Sequence, residues 1–274
     1  MAGLLERVAE LSVIHRRLAL IEYKALEAEE VQDSQSSKVL YKSANGNIFA
    51  EQLVQQYYIA QGFNAIWSEN DFWWEVMALL FWEIIFARIE GAVETVLDGN
   101  EYFPIPGNQD FEKLFSMSIQ MNGMPADFFT IKFYQRRRAI IENRLKELEI
   151  SDLIDKLTAS YQQHYGQTCR PIENWNKYPL ESLLAPVKYI PNTVVLGICK
   201  RLLADFSYNR AGLPDLVAYR QNYILFAEVK SKNDKLSQKQ REWHDYLSTE
   251  LSQGLAGAFE QKLTVSPILN HSKP

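Results

Sequence analysis

Residue types that build disulfide scaffolds and zinc sites are scarce in this sequence. The 274 residues include two cysteines, Cys169 and Cys199, which lie far apart and form no CxxC pair, and four histidines that form no cluster. Neither a disulfide framework nor a structural zinc site is therefore indicated, and two isolated thiols suit a reducing compartment. The charged, amphipathic N-terminus lacks the pattern of a secretory signal, so no export is expected.

Long uncharged apolar runs and an excess of basic charge are also missing. The most apolar stretch, residues 72–89, is interrupted by Glu75, Glu83 and Arg88, whereas a membrane span needs about 20 nearly uncharged residues. We therefore expect a buried core helix there and no membrane partner. The net charge of −5 argues against broad, nonspecific coating of DNA, which requires clustered lysine and arginine. Local basic groups remain, since residues 136–138 are three arginines that could meet phosphates or form a solvated helix face.

The composition fits a globular chain, because 47% of the residues are hydrophobic and 274 residues can bury one large core or two smaller ones. The apolar periodicity predicts a helical first half and an α/β end, with no internal repeat. Predicted helices cover residues 48–61, 72–89, 110–121, 132–148, 193–206 and 237–251, with one or two helices in residues 4–30 and further helical turns from 148 to 164. Residues 98–108 and residues 166–191, which contain four prolines, are predicted to be irregular.

The spacing of two acidic residues and a lysine near the C-terminus indicates a candidate catalytic site. Residues 212–215 read Gly-Leu-Pro-Asp, and Glu228-Val229-Lys230 follows Asp215 after twelve residues. The flanking segments are rich in β-branched and aromatic residues and predict a hairpin. A two-residue loop would place Asp215 opposite Glu228 on one face, which Lys230 joins by period two, whereas a three-residue loop would separate the two carboxylates. The sequence leaves both registers open.

In the first register the pair predicts a metal site. Two carboxylates opposed on apolar strands repel each other unless a cation lies between them, and Mg²⁺ or Mn²⁺ prefers such oxygen ligands. Asp215 and Glu228 would hold the ion together with the Val229 carbonyl, and Lys230 would orient an attacking water or stabilise the transition state. The alternative is an exposed charge pair at Glu228 and Lys230, with Pro-Asp as a simple turn signal.

The motif belongs to a longer pattern that resembles the VRR-NUC branch of the PD-(D/E)XK nucleases, and within it the Fanconi-associated nuclease family. The strongest pieces are Ala-Gly-Leu-Pro-Asp-Leu-Val at 211–217, Ala-Glu-Val-Lys at 227–230 and Lys-Gln-x-x-Trp at 239–243. Upstream, residues 68–72, 79–86 and 199–206 are similar to the same family. The similarity covers about residues 48–250, and the combination is specific although each piece alone is weak.

The resemblance implies further site residues. Family members use an acidic residue on an early core helix, which matches Glu51, and a second one in a Ser-Glu-Asn stretch, which matches Glu69. The lysine of the Lys-Gln-x-x-Trp segment, Lys239, and its neighbour Gln240 are implied to lie at the active site. Read without the family, Glu51 would be a solvated residue beside a buried stripe, and Glu69 would favour the start of the next helix by its charge. Lys239 would be an exposed residue in the first turns of a helix that Ser237 caps.

The resemblance also implies an α/β fold with a restriction-endonuclease-like core, in which a mixed sheet lies between helices, plus a large helical N-terminal and inserted portion. The expected divisions are an N-terminal segment, 1–47, an early core helix with a helical insertion, 48–190, and the nuclease core, 191–274. After Leu251, residues 252–258 lack the clean alternation of the last strand that the family usually places there. Because 47 residues cannot hold the N-terminal regions usual in the family, we expect a short form or a fragment.

The function implied by the resemblance is a divalent-metal-dependent DNA phosphodiesterase. It would be a structure-specific 5′ flap endonuclease and 5′–3′ exonuclease in interstrand-crosslink repair, with branched or flapped DNA as its partner. Its place would be the bacterial cytoplasm, at the nucleoid, or the eukaryotic nucleus. Residue chemistry by itself supports phosphodiester hydrolysis. Two alternatives remain open, a noncatalytic DNA-binding or scaffold domain and a junction-resolving or restriction-type endonuclease with the same core.

Overall fold

The computed structural model divides the chain into two compact units, one made of residues 1–69 and 212–274 and the other of residues 70–211. The parts that it describes are residues 23–28, 30–31, 40–43, 46–97, 100–220, 223–231, 235–249 and 257–267. Most of the first predicted helix, residues 4–22, lies outside these ranges.

The first unit is built on a five-stranded mixed sheet with strand order β1-β10-β9-β8-β5. Its strands are β1 (Tyr23–Ala28), β5 (Asn64–Trp67), β8 (Leu216–Arg220), β9 (Tyr223–Ser231) and β10 (Gly257–Pro267). Strand β10 pairs in parallel with β1 and β9, whereas β8 is antiparallel to β9 and β5. The mixed α/β fold expected from the sequence is confirmed.

One end of the sheet differs from the sequence prediction. Residues Tyr23–Ala28 were predicted as helix and form strand β1, paired from Tyr23↔Lys262 to Ala28↔Pro267. Its composition, Tyr-Lys-Ala-Leu-Glu-Ala, is helix-favouring, so pairing with β10 overrides local propensity. The partner β10 begins where the sequence showed no clean alternation, and its register shifts between Glu260 and Leu263.

An apolar cluster fixes the first helix on this sheet. Helix α1 (Ala50–Ala60) buries Ala50, Val54 and Tyr58 against residues of β8 and β9. The strand residues in the cluster are Leu216, Ala218, Leu225, Ala227 and Val229. A small antiparallel sheet precedes α1, with strands β2 (Glu30–Val31), β3 (Leu40–Ser43) and β4 (Gly46–Ile48). The predicted helix at 48–61 is thus confirmed, with its start two residues later.

The second unit is mostly helical. Its helices are α2 (Glu69–Leu80, whose first residue belongs to the other unit), α3 (Trp82–Ile85), α4 (Gln109–Asn122), α5 (Lys132–Glu149), α6 (Leu153–His164), α7 (Leu180–Val187), α8 (Asn192–Ala204) and α9 (Phe206–Asn209). Two short strands, β6 (Thr95–Leu97) and β7 (Asn100–Tyr102), pair with each other. Helices α4, α5, α6 and α8 match the predicted ones, and α7 and β7 fall in segments predicted to be irregular.

Helix α7 shows why the proline-rich segment was misread. Pro179 is its N-cap, where a missing N–H removes no helical hydrogen bond, and Pro186 lies in its last turn. Between them Leu183 is fully buried, so packing supports the short helix. Prolines therefore mark the ends of helices here as well as loops.

The apolar stretch at 72–89 is a buried core segment, as predicted, but it is shorter and broken. Helix α2 ends at Leu80, Phe81 interrupts it, and α3 ends at Ile85. Within the described residues, no single helix is long and apolar enough to cross a membrane. Helices α7 and α8 reach that length and composition only as a pair, and they are bent by 115° at their break.

The arginines at 136–138 do not act as a set. Arg137 is fully buried, donates to Asp127 Oδ2 at 2.7 Å and to the Ile84 carbonyl at 3.2 Å, and so ties α5 to the end of α3. Arg136 also contacts Asp127, and Arg138 is exposed. The expectation that the three face phosphates or solvent together is therefore wrong, because one of them is a core residue.

Candidate metal centre

The hairpin carries the register that brings the two acids together. Arg220 pairs with Tyr223 and Leu216 with Ala227, so the loop is two residues long and Asp215 lies opposite Glu228. A three-residue loop is excluded. The apolar cluster under α1 contains Ala227 and Val229, and because side chains alternate along a strand, Glu228 and Lys230 face the other side of the sheet.

Glu228 is the centre of the site. Its side chain is fully buried, and Oε1 accepts hydrogen bonds from Lys230 Nζ at 2.7 Å and from Gln240 Nε2 at 2.5 Å. The other oxygen, Oε2, is buried and has no hydrogen-bond donor among the described residues. An unpaired buried carboxylate oxygen is costly, so Oε2 is an open position for a cation.

Asp215 completes the acidic pair. Its Oδ2 accepts the Val229 N–H at 2.9 Å. Burial, and after it the negative charge of Glu228, raises the pKa of Asp215 to about 8, although the Val229 amide and Lys230 act in the opposite direction. The two carboxyls are thus close enough to repel, which is the arrangement that a divalent cation relieves. The donor set, two carboxylates with one oxygen unpaired, fits Mg²⁺ or Mn²⁺.

Two hydrogen bonds to backbone carbonyls hold the Asp215 loop in place. Ser68 donates its N–H to the Asp215 carbonyl at 2.9 Å and its Oγ–H to the Pro214 carbonyl at 3.1 Å. Gly212 adopts φ +100°, and a Cβ there would lie 2.7 Å from the Lys239 backbone. Glycine is therefore required both for the left-handed conformation and for the close approach of the following helix.

That helix, α10 (Gln238–Thr249), brings Gln240 to the site. Ser237 and Gln240 form a capping box, in which Gln240 Oε1 accepts the Ser237 N–H and Ser237 Oγ accepts the Gln240 N–H. The Gln240 amide nitrogen then points to Glu228. Lys239 is half-buried beside Gly212, and Trp243 is 1% exposed, as expected for a packing residue.

The structure supports Glu69 and Glu51, the other predicted metal ligands, less directly than it supports Asp215 and Glu228. Glu69 begins α2 directly after Ser68, so its backbone is next to the Asp215 loop, and its side chain lies outside the described residues. Glu51 is half-buried in the first turn of α1, the helix that packs on the sheet face opposite Glu228. The described residues bring no group of three acidic, histidine or cysteine side chains together as a metal site. Asp215 and Glu228 are therefore the pair that the structure assembles.

Sequence reasoning missed one residue beside Glu228. His244 is 1% exposed, and its Nε2 lies 3.8 Å from Glu228 Oε2. The available signal was its spacing, since His244 follows Gln240 by four residues and shares its face of α10.

The family model and the relatives that match this chain are all nuclease-related. Residues 149–261 match the VRR-NUC domain. The chain is 28% identical over 201 residues to the Fanconi-associated nuclease 1 homolog of Arabidopsis thaliana, covering 70% of this chain and 20% of that protein. It is 31% identical over 204 residues to Fanconi-associated nuclease 1 of Ailuropoda melanoleuca, covering 72% and 18%. The chain thus spans about a fifth of the length of these curated relatives.

A solved structure shares the fold. The crystal structure of paFAN1 bound to 5′ flap DNA with a two-nucleotide flap and a gap aligns with a TM-score of 0.64 and 24% identity, covering 91% of this chain and 38% of that chain. A second structure, with a one-nucleotide flap, aligns with a TM-score of 0.63.

Proposed function

We propose that this chain is a divalent-metal-dependent nuclease that cleaves flapped DNA, because residues 149–261 match the VRR-NUC domain and the chain is similar to Fanconi-associated nucleases. The observation that carries the proposal is the buried Asp215–Glu228 pair, in which Glu228 Oε2 has no donor among the described residues. Such a pair is poorly stabilised by the protein and well suited to an ion.

Asp215 and Glu228 would hold Mg²⁺ or Mn²⁺. The Val229 carbonyl, Glu51 and Glu69 are proposed as further ligands on the family resemblance. When bound, the ion would acidify a water and neutralise charge on the phosphate. Glu228 stays oriented because Oε1 is already engaged, which leaves Oε2 for the ion.

Lys230 is the proposed catalytic cation. It is held 2.7 Å from Glu228 Oε1 and its side chain is 13% exposed, so the ammonium lies at the edge of the carboxylate pair. From there it can orient the attacking water or stabilise negative charge on the phosphate. Lys239, half-buried beside the Asp215 loop, is proposed as a second cation at the active site.

The substrate is proposed from the relatives and from local charge. The paFAN1 structures contain 5′ flap DNA, which supports flapped DNA as the substrate. Cleavage near 5′ ends, 5′–3′ exonuclease activity and a role in crosslink repair are proposed on the family resemblance alone. Exposed Lys235, just before α10, and exposed Arg241, in its first turn, could meet backbone phosphates despite the net charge of −5. We propose that the chain works where genomic DNA is kept, at the nucleoid or in the nucleus.

The proposal is tested with an end-labelled 5′ flap substrate in Mn²⁺ or EDTA. Asp215→Asn, Glu228→Gln and Lys230→Met are each expected to reduce the cleavage rate roughly 100-fold or more, because each removes a charge stabilised at the reacting centre. Glu112→Gln is the matched control, since Glu112 is an exposed acid paired with Arg88, and it should cut normally.

Unchanged cutting by the three site variants would contradict the assignment. Binding of the flap by wild type without any cutting would favour a scaffold domain, and equal cutting of flap, junction and blunt substrates would favour a restriction-type enzyme. Glu51→Gln and Glu69→Gln are judged by metal dependence. A variant that leaves the Mn²⁺ requirement and the rate untouched removes that residue from the ligand set.

A further inference from the structure

Helix α10 presents two polar side chains to Glu228, one turn apart. Gln240 Nε2 donates to Oε1 at 2.5 Å, and His244 Nε2 lies 3.8 Å from Oε2. Residues four apart share a face of a helix. Helix α10 therefore faces both oxygens of this carboxylate.

Packing alone does not account for a histidine at this position. His244 is 1% exposed, and within the described residues neither of its nitrogens has a hydrogen-bond partner. A buried polar group without a partner destabilises the folded state, because it loses its hydrogen bonds to water and gains none in return. Its neighbours on the helix, Trp243 and Leu247, are buried apolar residues, so a leucine would avoid that cost. A polar side chain retained under such a penalty indicates a role for its nitrogen.

We propose that His244 is a positioning residue for Glu228: its Nε2, 3.8 Å from Oε2, donates to that oxygen when an ion is bound and keeps it in the orientation that lets Asp215 and Glu228 share a divalent ion. This inference rests on the proposed metal-dependent function. A carboxylate oxygen has two lone pairs, so Oε2 can bind an ion through one and accept from His244 through the other. Outer partners of this kind fix the geometry of metal ligands.

The geometry favours a place behind Glu228 over direct ligation. If His244 were a ligand, Asp215, Glu228 and His244 would form a three-residue metal site, and the described residues contain no such group. The contact between His244 Nε2 and Glu228 Oε2 is instead pairwise and fully buried. His244 acts through Glu228 and does not touch the reacting atoms.

The test measures Mn²⁺ affinity of the whole chain by the electron paramagnetic resonance of free Mn²⁺. His244→Leu should weaken the affinity roughly 10–100-fold, the usual effect of losing an outer partner. His244→Gln restores an N–H donor and should stay within about threefold of wild type. His164→Leu is the matched control, because His164 is a buried histidine that stacks on Trp82, and it should leave Mn²⁺ affinity unchanged.

Thermal unfolding in EDTA separates a packing role from a positioning role. If His244 only packs, its variants should change the unfolding temperature, but His244→Leu and His244→Gln should bind Mn²⁺ with the same affinity. His244→Met, another apolar substitute, replaces the leucine variant if that variant does not fold. The inference is overturned if the apolar variant binds Mn²⁺ as tightly as wild type does. It is also overturned if the wild-type complex shows strong ¹⁴N coupling to Mn²⁺, because His244 would then be a ligand. If Glu228→Gln binds Mn²⁺ as tightly as wild type does, both the proposed metal site and this inference are wrong.

Discussion

Asp215 holds a proton at neutral pH when no cation is bound, because burial and the neighbouring Glu228 charge raise its pKa to about 8. An ion that binds both carboxylates must displace this proton. At the scale of single residues, the site therefore couples metal binding to pH. Metal binding should weaken as the pH falls, because protonated Asp215 predominates below about pH 8 and its proton competes with the ion.

The apparent Mn²⁺ dissociation constant should therefore rise roughly tenfold for each pH unit below about pH 8 and be constant above it. About one proton should be released per ion bound at pH 7. Calorimetric titration in two buffers of different ionisation enthalpy measures the release. Asp215→Asn should bind weakly and release no such proton. Proton release by this variant equal to that of wild type would show that another group is the one displaced.

The residues of the site were predictable to different degrees. Asp215, Glu228 and Lys230 follow from period-two alternation and the hairpin spacing, because local geometry determines where they lie. Gln240 required the family resemblance, and its two hydrogen bonds became visible only with α10 in place. His244 belonged to no motif, and its four-residue spacing from Gln240 became informative only with α10 packed against Glu228.

At the scale of elements, helix α2 contains a buried acid that affects stability. Glu75 is 2% exposed, and its Oε1 has no hydrogen-bond partner among the described residues. Burial, and after it the charge of Asp71, raises the pKa of Glu75 to about 8, with Lys177 opposing. The folded state therefore holds this proton more tightly than the unfolded chain. The resulting stability is full below about pH 4.5 and is lost as the pH rises through about 8.

Glu75→Gln should consequently be more stable than wild type at pH 9, by at most about 5 kcal/mol, and close to wild type at pH 5. Urea unfolding of both proteins at the two pH values measures this difference. Glu147→Gln is the control, because hydrogen bonds from Lys156 and Arg144 lower the pKa of this exposed acid, and its loss should not stabilise the chain at pH 9. An equal gain in both variants would indicate a general effect of net charge.

Elements with local signals were predicted well, and those that depend on distant partners were not. The hairpin of β8 and β9 and most helices follow from turn residues and periodicity. Strand β1 has a helix-favouring composition and pairs with β10 from the other end of the chain, a contact that no local pattern shows. Helix α7 was missed because prolines at its ends resembled those of a loop.

At the scale of the whole molecule, the unit that carries the site is discontinuous. Residues 1–69 supply α1, β1 and β5, and residues 212–274 supply β8, β9, α10 and β10, with the helical unit inserted between them in sequence. The divisions expected from the sequence, 1–47, 48–190 and 191–274, stay predictions beside this arrangement of units. The candidate metal ligands Glu51, Glu69, Asp215 and Glu228 all belong to the discontinuous unit, so both segments are required for the proposed site.

The most direct test of the account is the position of the ion itself. Crystals of the chain grown with Mn²⁺ and measured at the manganese edge should show an anomalous peak within about 2.0–2.2 Å of an Asp215 carboxylate oxygen and of Glu228 Oε2. A peak elsewhere, or Asp215 and Glu228 carboxyls turned apart with Mn²⁺ present at saturating concentration, would contradict the proposed metal centre.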